Sequence, residues 1–283
     1  MKTRNIGPFQ VSEIGLGAMP LSIEGRPSWE QAFKTIAAAL DAGVTLIDTA
    51  DAYHMAGEHP GHNEELVAEA LAAHGRVPGL LLATKGGHYR PSDGSWLTDG
   101  RPEHLRQAAR ASAKRLRVEA IDLYQFHRPD PQVPFVESVG ALRELLDDGV
   151  IRYAGLSNVD HGQIDAAREI LGDKLVSVQN QFSASCRKAE PDIAFSAERG
   201  LAFIPYRPLG GLSAAYADGG DYSAFHRVAS EHEVSVQRVA LAWLLAKGPN
   251  VLPIPGSSRP ETILDSVAAV DLTLTDAELA ALG

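Results

Sequence analysis

A chain of 283 residues that is 45% hydrophobic and 22% charged has enough apolar mass for one large core or two small ones. Its formal net charge of −10 is spread along the chain, which argues against nucleic acid or an anionic membrane as partner but leaves room for a local basic pocket. The lone Cys186 rules out an internal disulfide, no apolar run reaches the length of a membrane span, and no apolar segment of the kind a secretory signal needs follows Met1–Asn5, so a cytoplasmic protein is expected.

The chain opens with a Gly7-Pro8 turn between short polar-apolar stretches, which predicts a small hairpin over Lys2–Val11. Ser12–Gly17 then reads as a strand ending in glycine. A rhythm follows. Ser28 can cap a helix reaching Asp41, and Gly43 is placed to end it before the buried strand Val44–Ile47. The helix Asn63–Leu71 precedes the strand Leu80–Lys85. Pro102 opens a helix to Leu116, and the strand Ile121–His127 comes next. The second half repeats the pattern: helix Phe135–Asp147, strand Ile151–Leu156, helix Gly162–Leu171, strand Leu175–Gln179, helix Pro191–Arg199, strand Leu201–Tyr206. A helix over Ser235–Lys247 leads to Asn250–Ile254, Pro260 starts a helix to Val270, and Asp276–Leu282 closes the chain.

Eight strands after the hairpin, each followed by a helix, predict parallel strands with crossover helices. The expected fold is α/β: a (β/α)8 TIM barrel with an N-terminal β-hairpin and a short C-terminal helix, one domain over residues 1–283. An open dinucleotide-binding sheet is the weaker choice, because Gly15-Leu16-Gly17 lacks the third glycine in register.

In such a barrel the chemistry sits at the C-terminal ends of the strands. Those ends carry Asp48, Lys85, His127, Ser157-Asn158, Gln179 and Tyr206 in order. A carboxylate ending an apolar strand needs a partner, and Lys85 on the adjacent strand is the candidate. Tyr53, five residues beyond Asp48, can lean over the same mouth. A tyrosine hydroxyl has a reference pKa of about 10, and a neighbouring ammonium favours the phenolate and lowers it. Tyr53 can then protonate a carbonyl oxygen that His127 orients, while Asp48 holds Lys85. The hydride such a reduction needs has to come from a nicotinamide cofactor, since no side chain supplies one.

These residues resemble the catalytic tetrad of the aldo-keto reductases, and the resemblance covers essentially the whole chain. Gly43–Tyr53 is similar to that family's signature, and His127-Arg128-Pro129 to the motif around its histidine. The resemblance implies reduction of an aldehyde or ketone by NADPH, with catalytic Asp48, Tyr53, Lys85 and His127. It implies that Ser157, Asn158 and Gln179 hold the nicotinamide carboxamide and that Tyr206 stacks on the ring. Arg207, Leu209 and Gly210 are implied to cover the pyrophosphate, and Gly256, Ser257 and Arg259 to meet the 2′-phosphate, with Asp265 near the adenine. Gly17, Ala18 and Asp48 are further expected cofactor contacts. Two departures bear on cofactor choice: Gly256 stands where many members carry lysine, and Thr262 where they carry arginine. NADPH is still expected, with NADH possible at lower affinity. The substrate wall is expected to include Met19, His88 and Trp96, with Tyr89 beside them. A monomer is expected at the level of the family.

Plainer explanations compete with several of these residues. Asp48 and Lys85 by themselves suit a structural ion pair. His54, Glu58, His59 and His62 have no ligand spacing that suits a metal and read as a solvated loop, so no metal is expected. Trp29 is expected at the head of the first helix and Trp243 in the core. Two other functions stay open: a non-catalytic NADP(H)-binding regulatory subunit, and a metal-dependent barrel hydrolase, although the first strand lacks the H-x-H such a hydrolase needs.

Overall fold

The computed structural model describes residues 1–75, 77–210, 212 and 222–283. Strands β1 (Thr3–Ile6) and β2 (Phe9–Ser12) pair antiparallel as the expected hairpin. The barrel starts with β3 (Leu16–Gly17), α1 (Trp29–Asp41), β4 (Leu46–Asp48), α2 (His62–His74) and β5 (Leu81–Gly86). A two-stranded ribbon, β6 (His88–Tyr89) and β7 (Leu97–Thr98), interrupts it. Then come α3 (Pro102–Leu116), β8 (Ile121–Phe126), α4 (Phe135–Asp147), β9 (Ile151–Ser157), α5 (His161–Leu171) and β10 (Leu175–Gln179). The last part holds α6 (Glu190–Ala197), β11 (Ala202–Phe203), α7 (Ser223–Glu231), α8 (Val236–Ala246), α9 (Pro260–Val267) and α10 (Asp276–Leu282).

Seven strands form one parallel sheet in the order β11-β10-β9-β8-β5-β4-β3. The eighth stretch is in place without forming a regular strand. Leu252 N donates to Phe203 O at 2.9 Å on one side, and on the other Gly15 N and Gly17 N donate to the carbonyls of Pro253 and Pro255 at 3.0 Å. Pro253 and Pro255 have no N–H, so the ladder is broken although the segment bridges both edges and closes the barrel. Helix α7 and the β6–β7 ribbon were not expected from the sequence. No described helix is long and apolar enough to cross a membrane.

Side-chain alternation decides what the barrel presents. Leu46, Leu81, Ala83, Leu123, Leu252 and Ile254 fill its interior together with Ile6 and Val11 of the hairpin, which seals the N-terminal end. Two residues further along the inward rows come Asp48, Lys85 and Gln125, with Lys85 in register with Gln125. The apolar floor thus gives way to a polar layer at the C-terminal mouth. The outward faces of the same strands pack on the helices. Ser28 accepts from Gln31 N to start α1, and Asp160 with Gln163 forms a capping box on α5.

Candidate active site

Lys85 is fully buried and its ammonium spends its three donors inside the protein. It donates to Asp48 Oδ1 at 2.5 Å, to the Thr49 carbonyl at 2.9 Å and to Tyr53 Oη at 3.2 Å. The other carboxylate oxygen, Asp48 Oδ2, accepts from Gln125 Nε2 at 3.0 Å and Gln179 Nε2 at 2.9 Å. A carboxylate only accepts, so both amides turn their NH2 groups toward it. Gln179 Nε2 also lies 3.3 Å from Gln125 Oε1, which ties the three side chains together.

Charge follows from this arrangement. Burial works against the Lys85 ammonium, but Asp48 and the Tyr53 oxygen outweigh it and hold its pKa above the ordinary lysine value. The expectation for Tyr53 needs correcting. Burial pushes its hydroxyl above the usual tyrosine value, more strongly than Lys85 pulls it down. Tyr53 is therefore a protonated phenol throughout the neutral range. His127 is pushed well below the ordinary histidine value, first by burial and then by Lys85, so its imidazole is neutral. Its Nδ1 is buried with no hydrogen-bond partner among the described residues. A bare lone pair costs less there than an orphaned N–H, which leaves the proton on Nε2. The His127 ring stands edge-on to Tyr53 at 5.7 Å between centroids.

Strand β9 ends in a second polar knot. Asn158 adopts a left-handed φ of 60°, which asparagine tolerates. Its Nδ2 donates to the His127 carbonyl and to Ser157 Oγ, both at 3.0 Å. Its Oδ1 accepts from Tyr206 Oη at 2.7 Å and from Arg128 at 2.9 Å.

All four of Asp48, Tyr53, His127 and Gln179 face one cavity of about 1240 Å³. That exceeds the roughly 300–1,000 Å³ of an ordinary small-molecule site, leaving room for two ligands end to end. Gly17, Ser157, Asn158, Tyr206, Arg207, Leu209, Gly256, Ser257, Arg259 and Asp265 line it, as do Met19, His88 and Trp96. Four expected residues do not, the first being Lys85, which is fully buried behind Asp48 and Tyr53. Ala18 is buried behind the wall, its N–H on the Asp48 carbonyl and its own carbonyl taking Asn63 Nδ2. Gly210 closes a turn onto the Arg207 carbonyl instead of lining the cavity. Tyr89 also lies outside the lining and is exposed on the ribbon.

At the far end of the cavity Ser257 and Thr262 are hydrogen-bonded to each other and to the Arg259 carbonyl. Arg259 is exposed there, at the start of α9. A Cβ on Gly256 would sit 2.7 Å from Pro20 Cγ, so the space a lysine needs is taken by the Pro20 ring. Asp265 is bound by Arg238 at 2.6 Å and by Ser235 at 2.5 Å, a pairing the sequence did not reveal.

Several working residues went unread. Gln125 had a usable signal: a polar residue two positions before His127 falls on the same strand face. Gly155 leaves room for it, since a Cβ there would lie 2.9 Å from Gln125 Cγ. The Thr49 carbonyl had no signal at all, being backbone. The His54–His62 segment is not simply solvated: His54 is fully buried, and Glu58 is clamped by Arg26 at 2.7 and 2.8 Å. Trp243 is core as expected, and Trp29 packs on Phe33 and His62.

The model of the aldo/keto reductase family matches residues 13–283. An uncharacterised oxidoreductase of Schizosaccharomyces pombe is 35% identical over 96% of this chain and 86% of its own. Pyridoxine 4-dehydrogenase of Escherichia coli is 32% identical over 99% of this chain and 96% of its own. Among solved structures, a glycerol dehydrogenase from Gluconobacter oxydans superposes with a TM-score of 0.83 at 29% identity, covering 99% and 94% of the two chains. An aldo/keto reductase from Klebsiella pneumoniae, solved with NADP and acetate, gives 0.82 at 27% identity over 99% and 94%.

Proposed function

The chain belongs to the aldo/keto reductase family, and on that premise we propose that it reduces an aldehyde or ketone to an alcohol with NADPH, Tyr53 giving the proton. The observation that carries this reading is the Lys85 ammonium, buried and divided between Asp48 and the Tyr53 oxygen. A structural ion pair has no need of the third partner.

The remaining residues fit a nicotinamide dinucleotide in their donor chemistry. Amide and hydroxyl groups of Ser157, Asn158 and Gln179 gather at the tetrad end, and Ser257 with Arg259 stands at the other. Bound there, the nicotinamide supplies the hydride. Every other part of the step belongs to the chain. His127 donates from Nε2 to the substrate oxygen and orients it. Tyr53 stays protonated until that oxygen gains negative charge, then transfers its proton. Lys85 stabilises the phenolate left behind, and Asp48 keeps Lys85 charged in a site without water. Gln179 turns its NH2 to Asp48, so its carbonyl oxygen is the atom offered to the carboxamide of the cofactor. Tyr206 offers its ring for stacking, and Gly17, Arg207, Leu209, Gly256 and Asp265 form the walls along the dinucleotide. Ala18 and Gly210 hold those walls from behind. NADH is accepted at lower affinity, because Arg259 stands without a lysine at position 256. The names of two similar proteins, dehydrogenases of pyridoxine and of glycerol, support an alcohol–carbonyl couple at this site. The reading takes residues 1–283 as one domain acting as a monomer.

Tyr53→Phe tests it. The variant keeps cofactor binding, read by quenching of protein fluorescence, and loses about 10²- to 10⁴-fold in kcat for carbonyl reduction. Full activity in that variant rules the mechanism out.

A further inference from the structure

The half of the cavity beyond Tyr53 and His127 carries charge that is matched almost everywhere. Asp48 is matched by Lys85. Glu24, on the same wall, accepts from Arg90 at 2.9 and 3.3 Å, which draws its carboxyl down to about 2. Arg128 is the exception. It lines the cavity just beyond β8 and is exposed. No carboxylate pairs with it among the described residues. Its partners are all neutral: Asn158 Oδ1 at 2.9 Å, His88 Nε2 at 3.4 Å, and the Tyr206 hydroxyl beside it.

Those partners also fix its position. His88 Nδ1 sits 2.9 Å from the Leu97 carbonyl, which only accepts, so the proton is on Nδ1 and Nε2 receives the Arg128 N–H. Burial keeps His88 neutral by lowering its pKa, so it adds no charge of its own. The His88 ring lies 4.4 Å from that of His127 and 5.9 Å from that of Trp96. Trp96 stands edge-on to Tyr53 at 6.4 Å. A flat or short apolar body therefore finds an aromatic wall between the proton donor and a cation held one ring away.

We propose that Arg128 selects substrates, so that this chain favours carbonyl compounds bearing a carboxylate a few atoms from the carbonyl group. The inference rests on the reductase reading and names its substrate class. A guanidinium offers a carboxylate two parallel donors, and among the described residues it has no anion of its own to give up. The net charge of −10 repels anions from the surface at large, so the attraction must act inside the cavity, where screening is weaker.

The test compares 3- and 4-carboxybenzaldehyde with the neutral 3- and 4-formylbenzamides, which have nearly the same shape. Loss of NADPH absorbance gives kcat/KM for each. For at least one acid, kcat/KM exceeds that of its amide by about tenfold, and Arg128→Gln lowers that ratio by roughly 10- to 100-fold, the worth of a hydrogen bond to a charged group. Arg128→Lys restores part of the ratio. An acid-to-amide ratio at or below one in the wild type overturns the inference and leaves carbonyl reduction standing. So does an equal loss on both compounds in Arg128→Gln with a matching rise in NADPH dissociation constant by fluorescence, which assigns the cation to the cofactor. If the wild type reduces neither compound nor any neutral aldehyde, the reductase reading falls, and this inference with it.

Discussion

At the tetrad end of the cavity Asp48, Lys85, Gln125 and Gln179 are buried, and each oxygen of Asp48 and each donor of Lys85 has a partner. At the other end Gly256 and Arg259 are exposed, and the guanidinium of Arg259 makes no hydrogen bond among the described residues. The first arrangement is finished before any ligand arrives; the second waits for one. On the proposed function, the difference follows from the tasks. A proton donor has to be held in position and in charge, which requires burial and closed hydrogen bonding. A phosphate grip has to exchange water for ligand, which requires access.

Lys85→Met breaks the contrast at its strong end. It strands the Asp48 carboxylate in the barrel, which costs about 3–5 kcal/mol of stability, read by urea unfolding. It also removes phenolate stabilisation, with a loss of about 10²-fold or more in kcat. Combining it with Asp48→Asn restores part of the stability and none of the activity, which separates the two roles.

Gln125 sharpens the same end at smaller amplitude. Gln125→Leu removes one donor from Asp48 and the acceptor of Gln179, lowering kcat roughly tenfold, as expected for a buried hydrogen bond to a charged group. Gln125→Glu gives a signature that packing alone does not. Protonated, the new carboxyl still donates to Asp48 Oδ2. Ionised, it puts a second negative charge about 3 Å away, which is unfavourable and raises the shared pKa. Activity in that variant is therefore present at low pH and falls as pH rises, a limb absent from the wild type. A flat pH profile in Gln125→Glu removes Gln125 from the positioning of Asp48.

The same contrast explains what the sequence made legible. Strand and helix alternation depends on local periodicity, so the barrel and the order Asp48, Tyr53, Lys85, His127 could be read directly. The eighth stretch lies where a strand was expected but forms none, because Pro253 and Pro255 have no donor while their neighbours across the seam do. The direction of the Tyr53 shift was missed because it weighs a visible neighbour, Lys85, against burial, which no short stretch of sequence displays. Ala18 and Gly210 were expected at the wall from the family resemblance, but which side of a loop faces a cavity is decided by tertiary packing. Arg238 on Asp265 was unreadable for a related reason, since the pair joins two helices 27 positions apart.

The weak end is tested by Arg259→Gln. Arg259 is exposed, so its attraction for a 2′-phosphate is screened, and such contacts are worth at most about 1 kcal/mol. The dissociation constant for NADPH, measured by fluorescence titration, accordingly rises by no more than about fivefold, since 1.36 kcal/mol corresponds to tenfold. NADH has no 2′-phosphate, so its dissociation constant stays where it was, and the preference between the two cofactors narrows by the same factor. Raising the ionic strength reproduces the change in the wild type, because salt screens an exposed cation. A hundredfold loss of NADPH affinity in Arg259→Gln gives a different picture: the guanidinium is then drawn into a desolvated, paired geometry when the phosphate binds. In that case the far end is as closely fitted as the tetrad, and the contrast between the two ends is confined to the ligand-free protein.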